Sequence, residues 1–459
     1  MTILVPLEIK VREINSRTFL ISKIIDNTNF DIVIGEKSKV YNLFKHNDGM
    51  YLLSKGGPKP NFKFSKKRYK KNYIGIVDEE GPIMNMDGNE IKTRLHEYII
   101  KNIDDYFFWG DKDLFISKKY FKKYSYKINN FGHPKFDICK KENIKFYKKE
   151  IVDIKKKYDK FIFIPLSHST DQIVDKEKYT IHSYDIKKNL NKTYKNYREF
   201  INNDKKNYLK LINFTEELAK QNPKLNIVVR PHPRQNIELV KNRFKKNLPN
   251  IKVIYEGVIT PWIDSCELYI HSGCTSFLEA ASLQKKIIYV YENEDYKSSK
   301  MYKAYGYYFS SYKKCLNFLC KKIEKKNFQI NRSVKPITII SNSKNKKYFY
   351  KDFIKFIKKN YDNKLQPIKR NYSNKTTIEN YFGAFKVLIK KLFLKVQFLR
   401  QILFLINPNL LLTKEYKEKK FPSLFKNELK NYLNRITTKK FKIIKLSDNL
   451  FLIKKINLS

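Results

Sequence analysis

Short apolar runs alternate with helical stretches along the first two thirds of the chain, and this alternation constrains the fold most. The runs "TILVPLEI", "FDIVIG" and "NYIGIVDEEG" are rich in β-branched residues and end at polar or turn residues, as buried strands do. Between the first two, "REINSRTFLISKIIDN" places Ile14, Ile21, Ile24 and Ile25 on one helical stripe. The rhythm predicts a parallel sheet covered by helices.

A highly charged stretch at residues 145–160 predicts a helical linker, after which the rhythm restarts. "KFIFIPLS", "LNIVVRPHP", "IKVIYEG", "ELYIHSG" and "KKIIYVYE" are predicted strands, and a long helix is expected over about Tyr197 to Gln221. We therefore predict an α/β chain with two Rossmann-like doubly wound domains, at residues 1–145 and 160–330, and a ligand cleft at the carboxyl ends of their strands. Residues 331–459 are expected to form a basic, mostly helical extension.

The chain is strongly basic, with 95 Lys and Arg against 45 Asp and Glu among 459 residues. Such a balance first suggests nucleic acid. Lys, Asn, Ile, Phe and Tyr are all abundant together, however, which is the composition that an AT-rich genome produces. No zinc-ligand cluster, RNA-binding signature or basic heptad region supports nucleic-acid binding. We expect no nucleic acid partner; a basic nucleic-acid-binding or scaffold protein is the alternative of another class.

The five cysteines are odd in number and lack CxxC spacing, which predicts reduced thiols in a cytoplasmic protein. The N-terminal residues do not form a signal-peptide pattern. The late segment "FKVLIKKLFLKVQFLRQILFLINPNLLL" is interrupted by four cations and is not a spanning helix. This apolar, basic segment fits either an anionic membrane surface, with the protein peripheral at the inner face, or a packed helix pair.

The segment "ELYIHSGCTSFLEA" predicts a strand that turns through Ser272 and Gly273 into a helix. The first turn of a helix offers free N–H groups and the positive end of the dipole, and glycine lets the backbone approach a ligand. Thr275 and Ser276 add hydroxyl groups to this predicted phosphate cradle, and Glu279 could accept hydrogen bonds from ribose. A capping box from Ser276 to Glu279 is the structural alternative. No GxxxxGK[ST] motif occurs, so a P-loop is excluded.

The pentapeptide "VRPHP" holds Arg230 and His232 between prolines where a strand ends. Proline fixes its own φ and restrains the residue before it, so both side chains are aimed rather than mobile. We interpret them as an anion-binding pair, with Arg230 on a phosphate and His232 able to give a proton to a leaving phosphate oxygen. A proline-rich strand exit without function is the alternative.

Acidic residues gather at strand ends of the first predicted domain. "VDEEG" places Asp78, Glu79 and Glu80 together, where mutual repulsion favours a proton-accepting carboxylate. A solvated acidic turn is the alternative. Glu8 lies within an apolar strand, so its charge is costly unless it is paired or functional. Arg12 follows at a predicted helix start and is a further candidate.

The order of "ILVPLEIKVREINSR", "DEEG", "FFWG", "GHPKFD", "VVRPHP" and "HSGCTSFLEA" resembles the bacterial surface-carbohydrate biosynthesis protein family over about residues 1–300. That family is similar to GT-B glycosyltransferases, and its motifs are similar to those of bacterial sialyltransferases, Kdo transferases and CDP-glycerol glycerophosphotransferases. The pattern departs from the family at His133 and Lys135, where relatives carry another residue and Arg, and at Cys274 within the hydroxyl run.

The resemblance implies a nucleotide-sugar-dependent glycosyltransferase of surface polysaccharide biosynthesis that requires no metal and no cofactor. It implies that Glu79 or Glu80 is the base, that His232 is the phosphate ligand or acid, and that Ser272, Thr275 and Ser276 complete the phosphate site. The donor would be an acidic sugar activated by CMP or CDP, and the acceptor a glycan or a lipid-linked glycan. A polyol-phosphate transferase of the CDP-glycerol type is the alternative.

Overall fold

The computed structural model describes residues 1–56, 71–79, 95–166, 197–232, 235, 237–245, 247–292, 299–324, 340–343, 347–367 and 421–456. These residues form two compact units. The first unit contains the described residues of Met1–Glu79, Leu95–Phe107 and Tyr350–Ser459, and the second contains those of Phe108–Phe349. The first unit therefore draws on both ends of the chain.

The first unit contains a mixed, mainly parallel set of strands together with helices. Its strands are β1 (Thr2–Leu7), β2 (Asp31–Glu36), β3 (Met50–Lys55), β4 (Tyr73–Val77), β5 (Asp105–Phe107), β13 (Phe441–Ser447) and β14 (Leu450–Lys455). Its helices are Lys10–Asn27, Lys37–His46, Glu97–Lys101, Phe349–Tyr361, which begins at the unit boundary, and Lys426–Asn434. All six residues of β1 are buried, as expected for a strand covered on both faces.

Within this unit the strand order is β13-β14-β2-β1-β3-β4-β5. The chain places β2 on one side of β1 and β3 on the other, all parallel. This is the doubly wound order in which ligands bind at the carboxyl ends of the two strands flanking the reversal, here β1 and β3. The C-terminal strand β14 joins antiparallel to β2, with Leu452 opposite Val33.

The second unit contains a sheet of six strands and its covering helices. Its strands are β6 (Ile128–Asn129), β7 (Phe161–Pro165), β8 (Asn226–Arg230), β9 (Ile251–Val253), β10 (Leu268–His271), β11 (Ile287–Val290) and β12 (Tyr307–Phe309), of which β7 to β12 form the sheet. Its α-helices are Asp111–Tyr120, Pro134–Ile138, Lys148–Tyr158, Tyr197–Gln221, Ile237–Lys241, Thr260–Ser265, Phe277–Ser282, Ser299–Ala304 and Tyr312–Glu324, and its 3-10 turns are Lys122–Lys127, Ile144–Tyr147 and Ser341–Ser343.

The six-stranded sheet has the order β12-β11-β10-β7-β8-β9, and every pairing in it is parallel. Counted from β7, this is the Rossmann order 3-2-1-4-5-6, whose ligand crevice lies at the carboxyl ends of the central pair. That pair is β7 and β10. Buried aromatic residues cover one face of the sheet, among them Phe163, Trp262 and Tyr269.

The predicted α/β class and the parallel sheets are confirmed, and the long helix lies at Tyr197–Gln221 as expected. The compact units differ from the predicted domain boundaries because residues from Phe108 onward group with the second sheet. The described residues of the extension that was predicted to be mostly helical contain the helices Phe349–Tyr361 and Lys426–Asn434 and also a hairpin of β13 and β14. The apolar, basic segment near residues 383–412 lies outside the described residues.

Candidate functional site

In the first unit, charged residues gather at the strand ends where the topology predicts a ligand. Glu8 follows β1, Lys37 follows β2 and Lys55 ends β3. The Glu8 carboxylate lies 2.9 Å from the Lys37 ammonium and 2.8 Å from that of Lys55. The charge of Glu8 is therefore paired with two lysines, and this pairing offsets the cost of placing a charge next to an apolar strand.

A second carboxylate of this cluster was not predicted. Glu13, in the first turn of the helix Lys10–Asn27, is 1% exposed, and its carboxylate accepts the N–H groups of Glu8 (2.7 Å) and Ile9 (3.2 Å). Burial, and then the charge of Glu79, raise the pKa of Glu13. Glu79 is itself buried, and the Arg17 guanidinium donates to its Oε1 at 2.7 Å. Glu79 thus takes part in a buried ion pair.

Asp78 and Arg12, the other described candidates of the first unit, both form side-chain hydrogen bonds. Asp78 is buried, and the Tyr106 hydroxyl donates to its carboxylate at 3.3 Å. Arg12 donates to Glu13 at 3.2 Å. Glu80 lies outside the described residues, so its assignment as the base stays a prediction.

In the second unit, the turn after β10 lies at the central pair of strands. Gly273 has φ +93, and a Cβ atom built on it meets no atom within 4 Å. Two tyrosines hold this turn: the Tyr302 hydroxyl donates to the Gly273 carbonyl at 2.9 Å, and that of Tyr312 donates to Ser272 Oγ at 3.1 Å. The backbone conformation requires glycine, and the turn presents open space at the predicted ligand position.

The hydroxyl groups of this turn differ in accessibility. Thr275 is exposed, whereas Ser276 is buried and shares hydrogen bonds with Tyr269 (2.8 Å) and Cys274 (3.0 Å). Ser276 precedes the helix Phe277–Ser282 but makes no side-chain cap. The capping-box alternative is therefore wrong, because the Ser276 hydroxyl is bound to Tyr269 and Cys274 instead of the helix N-terminus.

Glu279 lies one turn into that helix and has partners from other elements. The Thr260 hydroxyl donates to Glu279 Oε1 at 3.0 Å, and the Lys135 ammonium lies 3.7 Å from Oε2. Lys135 also lies over the Trp109 ring, 5.4 Å from its centroid. The motifs "FFWG", "GHPKFD" and "HSGCTSFLEA" therefore meet around Glu279.

Arg230 ends β8 and is buried. Its guanidinium donates to the main-chain carbonyls of Glu256 (2.8 Å) and Gly257 (2.5 Å) and lies over the Tyr255 ring. Burial lowers the pKa of Arg230 to about 10. These contacts hold the loop after β9. His232 is half-buried, and its main-chain N–H donates to the Gln235 side chain at 2.7 Å.

The buried side chain of Asn342, which is distant in sequence, forms hydrogen bonds with the "GHPKFD" segment. The Asn342 amide accepts from the His133 N–H at 3.0 Å, and donates to the His133 carbonyl at 2.9 Å and to Asp137 at 2.6 Å. A Cβ atom on Gly132 would lie 1.9 Å from Asn342 Oδ1. Lys135 is two residues from His133. The hydrogen bonds of Asn342 to the His133 main chain therefore help to fix the position of the Lys135 backbone.

His271, the last residue of β10, was not among the sequence candidates. It is fully buried, and its ring stacks on Phe277 and lies among Tyr269, Tyr289 and Tyr302. In the part of the chain that the structure describes, neither ring nitrogen has a hydrogen-bond partner. Burial lowers the pKa of His271 from 6.5 to about 3. The only feature of the sequence that could have pointed to this buried histidine is its position directly after the apolar run "LYI".

This histidine predicts acid sensitivity. The stability that follows from its lowered pKa is present above pH 6.5 and is lost as the pH falls from 6.5 toward 3. At about pH 5 the expected loss is roughly 2 kcal/mol relative to neutral pH. Urea unfolding at both pH values should show this loss in the wild type and a smaller one in His271→Phe. Exposed His46→Ala is the control; an unchanged loss in His271→Phe would contradict the prediction.

Among the described residues, no group of three His, Cys, Asp or Glu side chains is placed to hold a metal ion. Within the same residues, no helix is both long enough and apolar enough to span a bilayer.

No protein-family model matches the sequence, and no curated protein matches it. A solved structure of a variant of the wall teichoic acid polymerase TagF is similar with a TM-score of 0.50 and 10% identity, covering 79% of this chain and 89% of that chain. The UDP-GlcNAc 2-epimerase of Methanocaldococcus jannaschii, in complex with UDP-GlcNAc and UDP, has a TM-score of 0.48 and 12% identity over 78% of this chain and 100% of that chain. The likeness to the wall teichoic acid polymerase shows that this chain has a GT-B-like fold.

Proposed function

We propose that this chain is a transferase of bacterial surface-polymer biosynthesis that binds a nucleotide-activated donor at the turn after β10. The observation that carries the proposal is the position of Gly273, which faces open space at the carboxyl end of the central strand pair of a Rossmann sheet. Open α/β sheets bind nucleotides at this point. The neighbouring Lys135 and Glu279 supply a cation and a hydrogen-bond acceptor.

Lys135 is the cation that best fits the donor phosphate. Its side chain is 27% exposed, whereas both terminal nitrogens of Arg230 donate to main-chain carbonyls. Lys135 is 3.7 Å from Glu279, so it can turn to a phosphate without losing a short hydrogen bond. In this proposal Arg230 shapes the loop, and Lys135 contacts the anion.

The transfer step breaks the bond between the transferred group and the donor phosphate and forms a bond to an acceptor oxygen. His232 would give its proton to the leaving phosphate, and a carboxylate would take the proton of the acceptor hydroxyl. Glu79 and Glu80 remain the proposed bases, and His232 the proposed acid. The Arg17 guanidinium already donates to Glu79 Oε1, so Glu79 would act as the base only after leaving this ion pair.

The transferred group is proposed to be a sugar, with an acidic sugar from a CMP or CDP donor as the first candidate. A polyol phosphate is the second candidate, favoured by the fold shared with a wall teichoic acid polymerase and by the sequence Arg230-Pro231-His232-Pro233. An assay that offers CMP-sugars and CDP-glycerol side by side distinguishes them. Turnover of neither, with full glycan synthesis in cells carrying His232→Ala, would contradict both.

Replacing Lys135 with methionine is expected to weaken binding of CMP or CDP by about tenfold or more, because a charge-assisted hydrogen bond to phosphate is lost. Isothermal titration of the full-length protein measures this. Lys322, which also lies over an aromatic ring (Phe318, 5.9 Å), is the matched control. If the wild type binds nucleotide and Lys135→Met binds equally well, the assignment of Lys135 is wrong. If the wild type binds no nucleotide, the proposed donor site is wrong.

A further inference from the structure

The segment Asp111–Lys127 of the second unit exposes large aromatic side chains. Phe115 is 71% exposed and Tyr126 is 77% exposed, the two highest values for large hydrophobic residues in the described part of the chain. Tyr120, between them, is 39% exposed. Scattered single apolar residues are normal on a protein surface, but a group of them in one short segment is characteristic of an interaction site.

The same segment is strongly basic. It contains six lysines and two aspartates, a formal charge of +4. Lys118, Lys119, Lys122 and Lys123 are exposed, and no carboxylate among the described residues forms an ion pair with any of the four. Asp111 accepts a hydrogen bond from the Asn130 side chain. The positive charge of this surface is therefore available to a partner.

The exposure belongs to a folded element. The helix Asp111–Tyr120 is closed at its end by the Phe121 N–H, which donates to the Ser117 carbonyl at 2.8 Å. The helix packs against the 3-10 turn Lys122–Lys127 and against Ile128–Asn129. Ser117 is the one buried residue of this helix. A helix that buries so little of itself is otherwise poorly stabilised, because tertiary packing supplies most helical stability.

We propose that this aromatic–lysine surface, formed by Phe115, Tyr120, Tyr126 and the four exposed lysines, binds the interface of an anionic lipid bilayer. Phenylalanine and tyrosine bury their rings at the level of the headgroups, and lysine extends its ammonium group to anionic lipid. Each lysine near such a surface adds attraction that salt screens. A purely electrostatic partner would leave the aromatic residues without a role, and a second copy of this surface would repel the first.

Co-sedimentation of the full-length protein with vesicles tests the proposal. We expect binding to vesicles of phosphatidylcholine and phosphatidylglycerol in equal parts, weakened by salt, and little binding to phosphatidylcholine alone. The double variant Phe115→Ser with Tyr126→Ser should lose about tenfold in affinity, since two rings no longer leave water. Lys118→Ser with Lys119→Ser should lose affinity for the anionic vesicles and depend less on salt. Val152→Ser, an exposed apolar residue (54%) on the lysine-rich helix Lys148–Tyr158, is the matched control.

Hydrogen exchange locates the contact independently of other basic segments. Peptides covering residues 111–127 should gain protection when anionic vesicles are added, in a protein whose melting temperature is unchanged. The proposal is overturned if the wild type does not bind anionic vesicles. It is likewise overturned if these peptides gain no protection and the aromatic double variant binds the vesicles as tightly as the wild type does. It is also overturned if the double variant abolishes a concentration-dependent dimer in sedimentation velocity, because the surface then joins two copies of the chain.

Discussion

Arg17→Met is expected to lower the free energy of unfolding by about 3–5 kcal/mol, the cost of leaving a buried charge without its partner. The side chains of Arg17 and Glu79 are 1% and 3% exposed, and their charged groups lie 2.7 Å apart. Glu13, also buried, interacts with Glu79. Removing the guanidinium therefore takes the bound cation away from Glu79, whereas Glu13 keeps its own contact with Arg12.

Urea unfolding with a probe on the first unit measures this loss. The deficit should shrink in acid, because burial and the charge of Glu79 raise the pKa of Glu13, which therefore becomes neutral earlier as the pH falls. Arg435→Met, at a half-buried arginine over the Tyr432 ring, is the control and should cost less than about 1 kcal/mol. Adding Glu79→Leu to Arg17→Met should recover part of the loss. A stability of Arg17→Met equal to that of the wild type would refute the ion-pair assignment.

Gly132→Ala is expected to destabilise the second unit by about 2–4 kcal/mol, because it combines backbone strain with displacement of a buried hydrogen-bonded side chain. Gly132 has φ +86, and the added Cβ would lie 1.9 Å from Asn342 Oδ1. Asn342 cannot move aside at low cost, since its amide makes three hydrogen bonds to His133 and Asp137. All of these groups are buried.

Gly257→Ala is the comparison that separates the cost of backbone strain from the cost of the steric overlap with Asn342. Gly257 has φ +57 and no atom within 4 Å of an added Cβ, so it carries the strain alone and should cost about 1–2 kcal/mol. Thermal unfolding of both variants gives the comparison. The hydrogen bonds of Asn342 help to fix the backbone that carries Lys135. Nucleotide affinity should therefore fall in Gly132→Ala at temperatures where the protein is still folded. Equal stability of the two glycine variants would show that Asn342 is not held as described.

Local patterns were sufficient to locate several strands and the longest described helix along the chain. The strands β1, β2 and β8 and the helix Tyr197–Gln221 follow directly from apolar periodicity. The strand β3 was not predicted, because a short apolar run is also compatible with a buried helix. The pairing of β14 with β2 joins residues at opposite ends of the chain, and no local pattern records such a partner.

The sequence by itself determined where polar and turn residues follow the predicted strands, as at Asp78, Arg230 and Gly273, because such residues interrupt the apolar runs. The tertiary structure alone decided what each of these groups touches. Arg230 binds two carbonyls, and Glu279 meets Lys135 and Thr260 rather than its own helix cap. A side chain's partner depends on which strands lie side by side, and strand order is set by packing over the whole chain.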